Sequence, residues 1–152
     1  MILLDTNVLI DGFDHSAPLN GWASGLIRSG LLGDGVAVNP VILAELCVGD
    51  LVPETVSERL EALGIVILDL PAVASLRCSH AYAAYLRNRR KQDTPEAPKI
   101  PLPDFFIGAH ASILDLPLAT SDVSRYQTYF PEIKLLSPAG SHPPEPPDPR
   151  AR

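Results

Sequence analysis

Cysteine is nearly absent: Cys47 and Cys78 are the only two, set among apolar neighbours with no CxxC and no Cys/His ligand spacing. That excludes a disulfide scaffold and a Cys-ligated zinc site, and it fits a reducing cytoplasm. Histidine is also scarce, and His15, His80, His110 and His142 share no ligand spacing. No apolar run approaches the roughly 20 residues of a membrane-spanning helix. The apolar start Met1–Leu4 meets Asp5 at once and carries no basic flank, which is not the pattern of an export signal. The glycine signatures of Rossmann and P-loop nucleotide sites are missing. Positive charge is short as well: 12 Lys+Arg stand against 18 Asp+Glu, a formal charge of -6. Such a balance excludes an unspecific polycation for nucleic acid or anionic membranes and leaves room for a local basic patch.

What is present is a foldable chain. Its 152 residues are 46% hydrophobic and 20% charged, enough apolar surface for the core of one domain. The composition breaks after Leu136, where Pro138, Pro143, Pro144, Pro146, Pro147 and Pro149 follow with little apolar company. Residues 138–152 are therefore expected to form a disordered tail behind a domain spanning 1–137.

Short apolar runs alternate with longer amphipathic stretches, the pattern of α/β organisation. Five runs read as strands: Ile2–Leu4, Val36–Val38, Ile65–Leu68, Leu116–Ala119 and Ile133–Leu136. Between them, helices are expected to start after Asp5, over Pro18–Leu31, from Pro40 behind an Asn39 cap to Gly49, over Pro53–Leu63, from Pro71 to about Arg90, and from Asp104 to Leu114. Residues 92–103, with Pro95, Pro98, Pro101 and Pro103, read as a surface loop.

Asp5 and Asp122 fall just past strand ends, where open α/β sheets bind ligands. Asp104 opens a helix after the proline loop, and Glu45 lies in the helix after the second strand. One rim would thus gather four acids. Carboxylates brought so close repel unless a divalent cation neutralises them, and a set of hard oxygens favours Mg²⁺ or Mn²⁺ over zinc. Singly, each acid has a plainer use: Asp5 and Asp104 as helix caps, Asp122 as a turn residue, Glu45 as a solvated helix position.

Their order and neighbours carry a resemblance. Leu3-Leu4-Asp5-Thr6-Asn7-Val8-Leu9, Asn39-Pro40-Val41-Ile42-Leu43-Ala44-Glu45-Leu46, Pro103-Asp104-Phe105-Phe106-Ile107-Gly108-Ala109-His110-Ala111 and Leu116-Pro117-Leu118-Ala119-Thr120-Ser121-Asp122 together resemble the PIN-domain nucleases, in particular VapC-type toxins of type II toxin–antitoxin pairs. The resemblance implies a three-layer α/β/α domain around a parallel sheet of about five strands, acting as a metal-dependent endoribonuclease. It implies that Asp5 and Asp104 ligate the metal and that Glu45 and Asp122 complete the quartet. Thr120 matches a hydroxyl that hydrogen-bonds the pocket, and Asn7 the small polar residue behind the first acid. It further implies a homodimer and inhibition by a small antitoxin protein. The 92–103 loop and the proline-rich tail depart from the family's compact pattern.

A metal on Asp5 and Asp104 would polarise a phosphodiester oxygen and lower the pKa of a bound water for in-line attack, with Glu45 or Asp122 orienting that water. Arg87, Arg89, Arg90 and Lys91 end a helix and are candidates to grip RNA; a basic end satisfied by its own helix dipole reads equally well. Arg125 is a further basic candidate beside Asp122. Tyr82, Tyr85, Phe105, Phe106 and Trp22 are expected to pack rather than stack bases. Two alternatives stay open, a non-catalytic binding scaffold and an aspartyl phosphatase or phosphotransferase with Asp5 as nucleophile. The latter normally has a second acid where Asn7 stands.

Overall fold

The computed structural model describes residues 1–92 and 100–138. Residues 93–99 of the expected loop, and the expected tail beyond Pro138, lie outside the described residues.

Five strands, β1 (Ile2–Leu4), β2 (Val36–Val38), β3 (Val66–Ile67), β4 (Leu118–Ala119) and β5 (Leu135–Leu136), form one sheet in the order β3-β2-β1-β4-β5. Every pairing is parallel; Leu3 faces Ala37 on one side and Leu118 on the other. Leu3 and Leu4 are adjacent in sequence, so their side chains leave opposite faces of the sheet, and both are fully buried. Val36, Ala37 and Val38 repeat the pattern. Only a sheet covered on both sides buries consecutive strand residues, which makes the domain a three-layer α/β/α fold.

The layers are α1 (Thr6–Phe13), α2 (Asn20–Leu32), α3 (Pro40–Val48), α4 (Val56–Ala62), α5 (Ala74–Lys91), α6 (Pro103–Ile113) and α7 (Ser124–Tyr129). Asn39 caps α3 as its sequence indicates: Oδ1 accepts from the backbone N–H of Val41 and Ile42 at 3.0 Å each, with Pro40 in the first turn. Gly35 and Gly64 sit at φ +88° and +85°, where a Cβ is strained, and each turns the chain from a helix into the next strand. Gly108 serves packing instead. A Cβ there would stand 2.5 Å from the Phe130 ring, so glycine lets α6 press against the segment after α7.

Some expectations need correction. Pro53–Leu63 is not one helix but a 3₁₀ turn at Pro53–Thr55 followed by α4. Strands β3, β4 and β5 keep only two residues each. Asp104 is not a cap: Leu102 holds that position and Asp104 lies in the first turn of α6. Helix α7 has no counterpart among the expected elements.

The order of the strands fixes where a site can form. From β1 the chain builds outward through β2 and β3, then crosses to β4 and β5 on the other side. The direction of winding switches between β1 and β4, and a crevice opens beyond the carboxyl ends of those strands.

Candidate active site

Asp5 leaves β1 at that crevice. Its backbone N–H donates to the Ala119 carbonyl at 2.9 Å, and its side chain caps α1, with Oδ1 accepting from the Thr6 N–H at 2.8 Å. Oδ2 accepts from the Thr120 hydroxyl at 2.8 Å, the Tyr126 hydroxyl at 3.2 Å and the Asn7 amide at 3.2 Å. With two lone pairs per oxygen, Oδ2 is saturated and Oδ1 keeps one pair for a further partner.

Thr120, fully buried just past β4, is the hub of this lattice. Besides donating to Asp5, its oxygen accepts from the Asp122 N–H at 3.1 Å and the Asn7 amide at 3.2 Å. Asn7 completes the tie, because its Oδ1 accepts from the Ser121 N–H at 3.1 Å. The exit of β1 and the exit of β4 are thereby locked together across the switch point.

The other acids come from farther away. Glu45, on α3, accepts from the Thr6 hydroxyl at 2.5 Å through Oε2. Asp104, on α6, forms an ion pair with Arg125 of α7. Asp122 is exposed in the turn before α7, its Oδ1 accepting from the N–H and hydroxyl of Ser124 at 3.2 and 2.7 Å. That is the turn role, and it coexists with a place on the rim. Asp5, Glu45, Asp104 and Asp122 line one cavity of about 260 Å³ together with Thr6, Asn7, Ile10 and Tyr126.

Charge leaves its mark on the titrating groups. Burial, and to a lesser extent the negative charge of Asp104, raises the Asp5 carboxyl above the ordinary range despite its hydrogen bonds. Tyr126, buried and facing Asp5, Asp104 and Glu45, is held protonated far above its usual range, first by burial and then by those charges. Arg125 works the other way: burial opposes its charge, but Asp104 outweighs it and raises the guanidinium.

The donor set fits a hard divalent cation: every candidate ligand is an oxygen, Asp5 has a free lone pair, and the buried charge is incompletely compensated. The placement is not a finished cage. Among the described residues, no group of three His, Cys, Asp or Glu side chains is arranged to hold a metal as it stands. Each acid is turned to a partner of its own chain, Asp104 to Arg125 above all.

The sequence pointed to neither Tyr126 nor the pairing of Arg125 with Asp104. Both ride on α7, whose six residues, mostly polar, are too short for a periodic signal. His110 is fully buried and away from the cavity, its Nδ1 3.1 Å from the Asn39 amide nitrogen. Since Asn39 Oδ1 is committed to α3, its NH₂ faces the ring and Nδ1 must accept. Tyr82 and Phe105 are buried in an aromatic cluster with Tyr85 and Tyr129, as packing demands. At the end of α5, Arg87, Arg90 and Lys91 are exposed, whereas Arg89 donates to the Tyr85 hydroxyl at 3.0 Å.

These features define a class: a parallel α/β domain with an acid-lined crevice at its topological switch point. The sequence profile of the PIN domain matches residues 2–130, and the chain belongs to the PIN-domain family. Among solved structures it is similar to FitAcB of Neisseria gonorrhoeae, with 23% identity and a TM-score of 0.65 over 90% of this chain and 97% of that one. It is also similar to VapBC2 of Rickettsia felis bound to promoter DNA, with 21% identity and a TM-score of 0.58 over 90% and 98% of the two chains. A toxin–antitoxin complex from Klebsiella pneumoniae gives 21% identity and a TM-score of 0.59 over 90% and 97%. At these identities the likeness speaks for the fold. A search of curated proteins found no match.

Proposed function

We propose that this PIN-domain protein is a metal-dependent endoribonuclease and the toxin of a type II toxin–antitoxin pair. The observation that carries the reading is the meeting of Asp5, Glu45, Asp104 and Asp122, from four separate stretches of chain, on one cavity at the switch point. A structural explanation covers each acid singly, as cap, helix position or turn. It gives no reason for all four to share one crevice, where their mutual repulsion works against the fold.

Asp5 and Asp104 would hold Mg²⁺ or Mn²⁺, Asp5 through Oδ1. Bound there, the ion supplies an acidified water and a counter-charge for the phosphodiester. Thr120, Asn7 and Tyr126 fix the Asp5 carboxylate through Oδ2, which leaves the open lone pair on Oδ1. Glu45 and Asp122 orient the attacking water, and Arg87, Arg90 and Lys91 on the exposed end of α5 bind flanking phosphates. A phosphoenzyme on Asp5 normally needs a second acid where Asn7 stands, and Asn7 is committed to holding the Asp5 carboxylate and the Ser121 N–H. This disfavours the phosphotransferase reading.

A partner protein is supported by a second cavity. An apolar groove of about 540 Å³ adjoins the acids and shares Ile10 and Glu45 with them, and Phe13, Leu46, Val56 and Leu60 also line it. Ile10 and Phe13 are 56% and 52% exposed there. An apolar surface beside an acidic crevice suits an antitoxin segment with an apolar face and basic residues. The protein acts as a homodimer in this reading.

The test is incubation of the purified protein with structured RNAs and Mn²⁺ or Mg²⁺, with and without chelator, beside co-expression with a short neighbouring gene product. Metal-dependent cleavage, and growth arrest relieved by the partner, are expected. RNA left intact at every metal concentration would overturn the nuclease assignment.

A further inference from the structure

Helix α7 is moored to three of the four acids in succession. Asp122 accepts from Ser124, Asp104 pairs with Arg125 and Asp5 accepts from Tyr126. Two of these ties accompany a metal without conflict: Tyr126 occupies the saturated oxygen of Asp5, and Ser124 uses one oxygen of Asp122. The Arg125 tie is different, because a guanidinium and a divalent cation seek the same carboxylate charge of Asp104. The Arg125 and Asp104 side chains are 43% and 29% exposed, so water can replace the ion pair when it opens.

We propose that Arg125 is the exchangeable counter-cation of Asp104: it neutralises that acid while the cavity lacks a divalent ion, yields it when the ion arrives, and then meets a phosphate of the incoming RNA. The inference rests on the cation site proposed above. Its physical basis is charge balance. Four carboxylates around one small cavity need positive charge in either state, and among the described side chains paired with these acids only Arg125 brings it. Once released, the guanidinium stays beside Asp104 on the rim of the cavity, where it meets a phosphate of the RNA that enters.

The experiment is calorimetric titration of Mn²⁺ into chelator-stripped wild type, Arg125→Ala and Arg125→Lys. Loss of a half-exposed competing ion pair should tighten Mn²⁺ binding about two- to fivefold in Arg125→Ala. Arg125→Lys should fall between the two. At saturating Mn²⁺, Arg125→Ala should raise KM for RNA about tenfold, the loss of one charged hydrogen bond, with kcat little changed. Should the variants fold poorly, the wild type answers alone: on adding Mg²⁺, the Nε–H resonance of Arg125 in a ¹⁵N spectrum shifts as the ion pair opens. Equal or weaker Mn²⁺ binding in Arg125→Ala, an unchanged KM, or an Arg125 resonance unmoved at saturating Mg²⁺ would overturn the exchange. Failure of the wild type to bind Mn²⁺ at all would instead remove the cation site on which it rests.

Discussion

The Tyr126 hydroxyl meets Oδ2 of Asp5 at 3.2 Å although 121 residues separate them in the chain. A buried phenol donating to this carboxylate helps to hold its rotamer and leaves the other oxygen with an open lone pair. Tyr126→Phe keeps the buried ring and removes only the hydroxyl. It should leave thermal stability nearly unchanged and cost about 10–100-fold in metal affinity or cleavage, as loss of a ligand's supporting hydrogen bond does. Parallel Mn²⁺ titration and cleavage assays check this.

Thr120 makes the same prediction sharper, because its hydroxyl serves three partners at once. Thr120→Val keeps the shape but leaves the Asn7 amide and the Asp122 N–H without that acceptor, so activity should fall at least as far as in Tyr126→Phe. Thr120→Ser restores the hydroxyl and should recover most of the activity. Cleavage rates of the pair decide the matter; equal losses in Val and Ser would point to packing rather than hydrogen bonding.

The raised Asp5 carboxyl sets a pH dependence. Its folded pKa lies above the unfolded one, so the folded protein takes up this proton first, and ionised Asp5 weighs against the metal-free fold once pH rises through the folded value. A divalent cation offsets that cost only where Asp5 is ionised. Mg²⁺ or Mn²⁺ should therefore raise Tm at neutral pH, by an amount equivalent to about 2.7 kcal/mol at a hundredfold excess over Kd. The increase should vanish in acid. Thermal melts at several pH values, with and without metal, give the comparison.

Much of this is legible in the sequence, and the exceptions have a common cause. The buried runs Ile2–Leu4 and Val36–Val38 and the Asn39-Pro40 helix start are local signals, and each element forms where its residues indicate. The placement of Asp5 and Asp122 at strand exits follows from the same local signals. What the sequence conceals is tertiary. Arg125 and Tyr126 matter because α7 folds back across the crevice, and nothing within Ser124–Tyr129 itself announces that. The edge strands β3 and β5 are shorter than their apolar runs because residues such as Ile65 and Ile133 pack in the core without joining the sheet's hydrogen bonding.

His110 supplies an independent pH test away from the cavity. Burial lowers its folded pKa from the ordinary 6.5, so the unfolded chain binds the extra proton first as pH falls. Stability should then drop as pH goes below about 6.5, with a slope of at most about 1.4 kcal/mol per pH unit for one proton. Protonation would also place an N–H against the Asn39 amide and disturb the cap of α3, which carries Glu45. His110→Gln should flatten this part of the profile relative to wild type, as followed by urea denaturation between about pH 5 and 7, the range of ordinary histidine titration.

Charge reversal of Arg87, Arg90 and Lys91 addresses the basic end of α5. If these residues meet RNA phosphates, the triple Glu variant should bind RNA more weakly and show a shallower salt dependence, by about 0.7 in the logarithmic slope for each single-strand phosphate that is no longer neutralised. Anisotropy titrations at several salt concentrations measure both quantities. An unchanged slope would leave these residues as a solvated helix end.

The most direct test of the shared cation site is Mn²⁺ binding itself, followed by calorimetry on chelator-stripped wild type, Asp5→Asn and Asp104→Asn. Saturable binding by the wild type, abolished or strongly weakened in each variant while both remain folded, is the predicted result. Wild-type affinity in both variants would contradict it.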